Sequence, residues 1–210
     1  MTRLFNYTAL FSALAISISA QTLNVVNKCS EQVFLNTQSS SGTIANNVFV
    51  AAGTGCSSSG ACTTGGPTWD GKTPFSRAEF NFAAIPGSVT YDISLIYGYN
   101  VGMEISGCEQ FACTLPGGCP VPGPDNSCFS GCCTSASACS GGALPAGGGG
   151  CPNNAFAGPH SAFFYNNCPN AYAFPDNDGA NGGKPANHVD TTCATKSVTL
   201  TLCPGTTSHI

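Results

Sequence analysis

The stretch EFNFAAIPGSVTYDIS, residues 79–94, decides the fold of this chain. Phe80 and Phe82 alternate with Glu79 and Asn81, and Val89, Tyr91 and Ile93 alternate with Thr90, Asp92 and Ser94. Apolar residues at every second position mark half-buried strands rather than a helix. Ile85-Pro86-Gly87-Ser88 supplies a turn between the two runs, so an antiparallel hairpin is the economical connection. If both strands line one core, Phe82 pairs with Val89 and Phe80 with Tyr91. The same register sets Glu79 opposite Asp92 on the outward face, and a slip of one residue would put the phenylalanines in water.

The same strand character recurs on either side of this hairpin. Between Thr22 and Val50, Val25, Val33, Phe34 and Val48 stand among polar neighbours with no helical period, and Gly42, Gly53, Gly60 and Gly65 punctuate the run. Val198, Leu200 and Leu202 alternate through Ser197 to Cys203. These patterns predict an all-β core.

From Cys108 to Cys151 glycine, proline, serine and cysteine dominate, and ALPAGGGG at 143–150 cannot hold a regular element against its own backbone entropy. Six cysteines lie there: Cys119, Cys128, Cys132, Cys133, Cys139 and Cys151. Cross-links must order such a stretch, which predicts a disulfide-held loop annex with little core of its own. The organisation expected is a signal peptide at 1–20, a β-sandwich core at 21–107 and 190–210, and an annex and cleft wall at 108–189.

The opening residues MTRLFNYTALFSALAISISA read as a secretory signal, with Arg3 at the start, an apolar run from Leu10 to Ile18 and small residues before Gln21. That run is shorter than the roughly 20 residues of a spanning helix, so no membrane anchor is expected. All 14 cysteines follow it and are expected to pair in an oxidising compartment. There is no paired C-x2-C framework and only three histidines, so neither metal nor cofactor is expected. Five basic residues (Lys28, Lys72, Arg77, Lys184 and Lys196) face ten acidic ones beyond the signal, which excludes nucleic acid and anionic membrane as partners. No G-x-S-x-G elbow appears, and bonded thiols are not nucleophiles.

Two carboxylates directly across a ladder repel, and such a pair persists where it serves a ligand or where a cation relieves it. Their mutual repulsion raises one proton affinity, leaving one group protonated and the other ionised, the arrangement a glycoside hydrolase uses. Solvated side chains on a polar strand face, or neutralisation by Arg77, account for the same pattern.

AEF at 78–80, YDISL at 91–95, GYNVGM at 98–103, C-x4-C at Cys108 and Cys113, and CPNAYAFPDND at 168–178 together resemble the thaumatin-like (osmotin-like) proteins. The resemblance runs from Leu23 to Pro204 and is weakest at 53–73 and in the annex. It implies a flattened β-sandwich core with a disulfide-rich loop annex and an acidic cleft between them. It also implies a secreted monomer that binds β-1,3-glucan or other cell-wall polysaccharide, with antifungal or weak endo-β-1,3-glucanase activity in some members. By the same resemblance Cys29 pairs with Cys203, Cys56 with Cys62, Cys108 with Cys193 and Cys113 with Cys168, while the connectivity of the six annex cysteines stays open.

The family's cleft uses an arginine, a glutamate and three aspartates. Glu79 and Asp92 match the glutamate and the first aspartate. Tyr97 stands where the second aspartate precedes GYN, and the third falls nearest Asn177, between Asp176 and Asp178. Arg77 is not at the arginine's place. The catalytic set is then Glu79 as acid with Asp92 or Asp178 as partner. Tyr97, Tyr99, Tyr172 and Phe174 are candidate sugar-stacking aromatics, with Asp176 and Asn177 beside them. A non-catalytic wall or host-interaction platform is the alternative, and an inhibitor of proteases or amylases a third reading.

Overall fold

The structure is a computed structural model that describes residues 21–30, 33–39, 47–56, 74–82, 85–140, 151, 156–179, 188–195 and 197–205. Among these residues nine strands form two sheets. They are β1 (Thr22–Asn27), β2 (Val33–Ser39), β3 (Asn47–Cys56), β4 (Arg77–Asn81), β5 (Val89–Ser94), β6 (Met103–Ser106), β7 (Gln110–Cys113), β8 (Asp190–Cys193) and β9 (Ser197–Leu202). The four-stranded sheet runs β1-β9-β6-β7 and the five-stranded sheet β2-β3-β4-β5-β8.

The alternation of the sequence explains which face each strand buries. Ala78 and Phe80 of β4 and Val89, Tyr91 and Ile93 of β5 turn inward to meet Met103 and Ile105 of β6, Phe111 of β7 and Leu200 and Leu202 of β9. The Tyr91 ring meets Phe111 edge-on with centroids 5.6 Å apart, and its hydroxyl donates to the Glu109 carbonyl at 2.8 Å, so one side chain ties the two sheets together. β1 and β9 pair in parallel from Thr22 with Ser197 to Asn27 with Leu202, and Cys29–Cys203 locks their ends. The all-β, disulfide-rich sandwich expected from the sequence is the fold observed.

Two short helices, α1 (Ala136–Ser140) and α2 (Ser161–Asn167), add to the strands. α2 buries Ser161 and Phe164, and its end is fixed by Cys113–Cys168. Cys108–Cys193 is the third implied bond present, while Cys62, the implied partner of Cys56, lies outside the described residues. The annex resolves into Cys119–Cys128, Cys132–Cys151 and Cys133–Cys139. Its small cluster of Val121, Phe129, Cys133 and Cys139 has Tyr97 packed against it. Residues 108–189 also send Phe111, Leu115, Phe164 and Phe174 into the main core, and β7 belongs to a sheet. The expected signal peptide, residues 1–20, lies outside the described residues.

Candidate functional site

The register of β4 on β5 is the one its apolar face demands: Phe80 pairs with Tyr91 and Glu79 with Asp92. Phe82 lies just past the strand end, its ring stacked 6.2 Å from Phe80. On the other side of β5, Asp92 pairs with Asp190 of β8. Three carboxyl-bearing residues therefore form one continuous row across three strands. Arg77 and Ser94 pair one step along the sheet, and Tyr172 bridges to Ser94 beyond the end of β8. One step the other way, Asn81, Thr90 and Thr192 make a third row, with the two threonine hydroxyls 2.6 Å apart.

The segment that carries Tyr172 is held as an added strand stub. Its N–H donates to the Ile93 carbonyl at 2.8 Å, and its carbonyl accepts from Leu95 at 2.7 Å. The preceding Cys168 is bonded to Cys113, so the position of Tyr172 is fixed at both ends. β8 is fixed in turn by Glu109, whose carboxylate accepts from the Thr191 hydroxyl at 2.8 Å and pairs with His188 at 2.8 Å.

The charges on this face are unequal. Arg77 forms an ion pair with Glu79, and its guanidinium also lies over the Tyr97 ring. Asp92 has no such partner: its Oδ1 is sealed from solvent and meets no hydrogen-bond partner among the described residues. Burial, then the Glu79 charge and the Asp190 charge, push the Asp92 carboxyl well above its ordinary range, and Arg77 offsets only part of this. Burial also raises Glu79, with the charge and hydrogen bond of Arg77 opposing it. The Tyr172 hydroxyl is raised by burial and by Asp190, Asp178 and Asp92 around it, and it donates to Asp178 Oδ2 at 3.3 Å. Ser94 Oγ, buried on the same face, has no partner among the described residues.

The structure brings together Glu79, Asp92, Tyr172 and Asp178 of the predicted set. Tyr97 meets its edge through Arg77, while Tyr99, Phe174, Asp176 and Asn177 are buried. Phe174 is wholly buried in the main core, and Tyr99 is 1% exposed, its hydroxyl accepting from the Leu115 N–H and pushed up to about 12 by burial. Tyr99 is set there by Gly98, at φ 102°, where a Cβ would lie 2.4 Å from the Cys128 carbonyl oxygen. Neither ring can stack on a sugar without leaving the core. Tyr97 stacks on Phe75 at 4.9 Å and carries Arg77 at 4.4 Å, so its ring is already engaged. Asp176 and Asn177 are buried, and the Asn177 side chain accepts from Ala173 N–H at 3.3 Å, closing the turn of its own loop.

Sequence reasoning missed Asp190 and Ser94, while its alternative that Arg77 neutralises the pair is met at Glu79. Asp190 and Thr192 alternate with the buried Thr191, a two-residue period too short to stand out. Among the described residues no group of acidic, histidine or cysteine side chains could hold a metal ion, and no helix is long and apolar enough to cross a membrane.

Two packed sheets, six disulfides among the described residues and a carboxylate row on the polar face of one sheet define a cystine-clamped β-sandwich protein with an acidic face. The chain belongs to the thaumatin family, whose model matches residues 17–204.

Proposed function

We propose that this protein is secreted and binds β-1,3-glucan of fungal cell walls on the face built by Glu79, Asp92, Tyr172 and Asp178. The observation that carries the reading is the pairing of Glu79 with Asp92 beside a single arginine. A glycosidic ligand needs hydroxyl acceptors and donors at fixed spacing, and one ionised and one protonated carboxyl supply both. Six disulfides among the described residues, family membership and the leader-like first twenty residues support export. The protein acts as a monomer, with no nucleic acid or membrane as partner and no metal or cofactor.

Weak endo-hydrolysis belongs to the same reading, with the roles set by the charges. Arg77 favours the ionised form of Glu79, so Asp92 is the better proton donor and Glu79 the partner carboxylate. The test is retention of the oxidised protein on insoluble β-1,3-glucan, chitin and cellulose, with sugar release from soluble glucan scored in parallel. Retention on glucan alone, lost in Glu79→Gln, is the expected result; equal retention on all three, or none, overturns it.

A non-catalytic wall platform is favoured by one observation. Tyr99 and Phe174 are core residues and Tyr97 is engaged by Phe75 and Arg77, so three of the four aromatics expected to stack on sugar are already packed. Absence of glucan retention would favour the platform.

A further inference from the structure

We propose that Asp190 is a positioning residue of the acidic face: it closes the carboxylate row on the β8 side and keeps the proton that the row shares on Asp92. This deepens the glucan-binding reading and rests on it for the ligand, but not for the proton.

Asp92 is the middle member of a row in which Glu79 and Asp190 are its cross-strand partners. Like charges directly opposite in a ladder repel, so three adjacent carboxylates are best relieved by one proton or one cation in the middle. The cation stands at one end, on Glu79. The middle carboxyl has a sealed oxygen with no hydrogen-bond partner among the described residues, and a sealed charge is the costliest to leave unpaired. The proton therefore belongs to Asp92. Removing Asp190 would leave Asp92 with one flanking carboxylate instead of two, and its proton would be easier to lose.

The charged and titratable groups around Asp92 can be named from each side. β4 contributes Glu79 and Arg77, β8 contributes Asp190, and the segment after Cys168 contributes Tyr172 with Asp178 bonded to it. Of these, Asp190 is an exposed residue on an edge strand, and Thr191 and Cys193 beside it do the anchoring through Glu109 and Cys108. An amide in its place keeps the fold and removes only the charge.

The position matters to the ligand. With the proton on Asp92, neighbouring positions of one row offer an O–H donor and, at Glu79, an ionised acceptor. With the proton lost, the row would be acceptor-only toward a neutral sugar.

The experiment follows the Asp92 carboxyl carbon by NMR titration of the whole oxidised chain, with Asp92→Asn identifying the resonance. Asp190→Asn is compared with wild type and with Glu104→Gln, which removes one negative charge from β6 in the other sheet. The expected result is a titration midpoint moved to lower pH in Asp190→Asn and unmoved in Glu104→Gln. An unmoved midpoint in Asp190→Asn, or an equal move in both variants, overturns the proposal. Retention on insoluble β-1,3-glucan is measured against pH in the same proteins, and its fall with rising pH should shift with the midpoint. If the midpoint moves while no variant is retained on glucan, the role of Asp190 stands and the glucan reading fails.

Discussion

The Arg77 guanidinium carbon stands 4.4 Å from the centre of the Tyr97 ring while the same group pairs with Glu79. One side chain therefore joins the acidic row to the aromatic at the edge of the annex. The ion pair matters because Glu79 stands directly across from Asp92, and Arg77 is the cation beside them among the described residues. Arg77→Gln should lower stability by about 2 kcal/mol, since it leaves a largely buried carboxylate unpaired. Arg77→Lys should recover the charge but not the flat stacking surface, and so only part of the loss. Thermal unfolding of the three proteins at neutral pH checks the order.

The Tyr97 ring has Phe75 stacked at 4.9 Å and the annex cluster of Val121, Phe129, Cys133 and Cys139 packed against it. Its role on this geometry is packing. Tyr97→Phe should be near neutral, whereas Tyr97→Ala should cost about 2 kcal/mol through lost burial. Glucan retention per folded molecule should stay unchanged in Tyr97→Phe. A large loss of retention there would mean that the hydroxyl contacts sugar.

How much of this was legible depended on where the physics was local. The Glu79–Asp92 pairing followed from Phe80 and Tyr91 alone, because a period of two and a short turn leave one register that buries both rings. Asp190 is 98 residues beyond Asp92. Its placement depends on Cys108–Cys193 and on Glu109, and no sequence window contains those contacts. The aromatics misled for a different reason. Tyr99 and Phe174 stand in polar, glycine- and proline-rich surroundings that read as loop, yet the disulfides press those loops onto the core and bury both rings. The annex pairings were open for the same reason, since the six cysteines lie too close in sequence for spacing to choose between partners.

The row also sets a pH dependence whose direction is unusual for carboxyls. Asp92 and Glu79 lie above their ordinary 3.8 and 4.5 in the folded chain, so folding takes up protons in the window above those values. Their contribution to stability is complete below the ordinary values and is lost as pH rises through the folded ones. Asp92→Asn fixes the neutral form at all pH values. It should flatten this slope, raise stability at neutral pH by about 1 kcal/mol, and remove the fall of glucan retention with rising pH, because the amide keeps a donor at this position. Denaturant unfolding from pH 3 to pH 8 in both proteins measures the difference, and an identical slope would remove Asp92 as its source.

Cys193 links this chemistry to the frame of the fold. It pairs with Val89 at the end of β8, three residues past Asp190, and is bonded to Cys108 across 85 residues of sequence. The chain-entropy cost of opening a loop of that length is roughly 4.6 kcal/mol, against roughly 2 kcal/mol for Cys133–Cys139, which spans six. Replacing Cys108 and Cys193 together by alanine should therefore lower stability more than replacing Cys133 and Cys139. It should also loosen β8, the edge strand of its sheet, so its amides should exchange faster while those of β4 keep their protection. Because Asp190 moves with that strand, the Asp92 titration midpoint should fall in the first double variant and hold in the second. Hydrogen exchange and the carboxyl titration read the two effects separately. Faster exchange in β8 with an unmoved Asp92 would mean that Glu109, through Thr191, holds Asp190 in register without the disulfide.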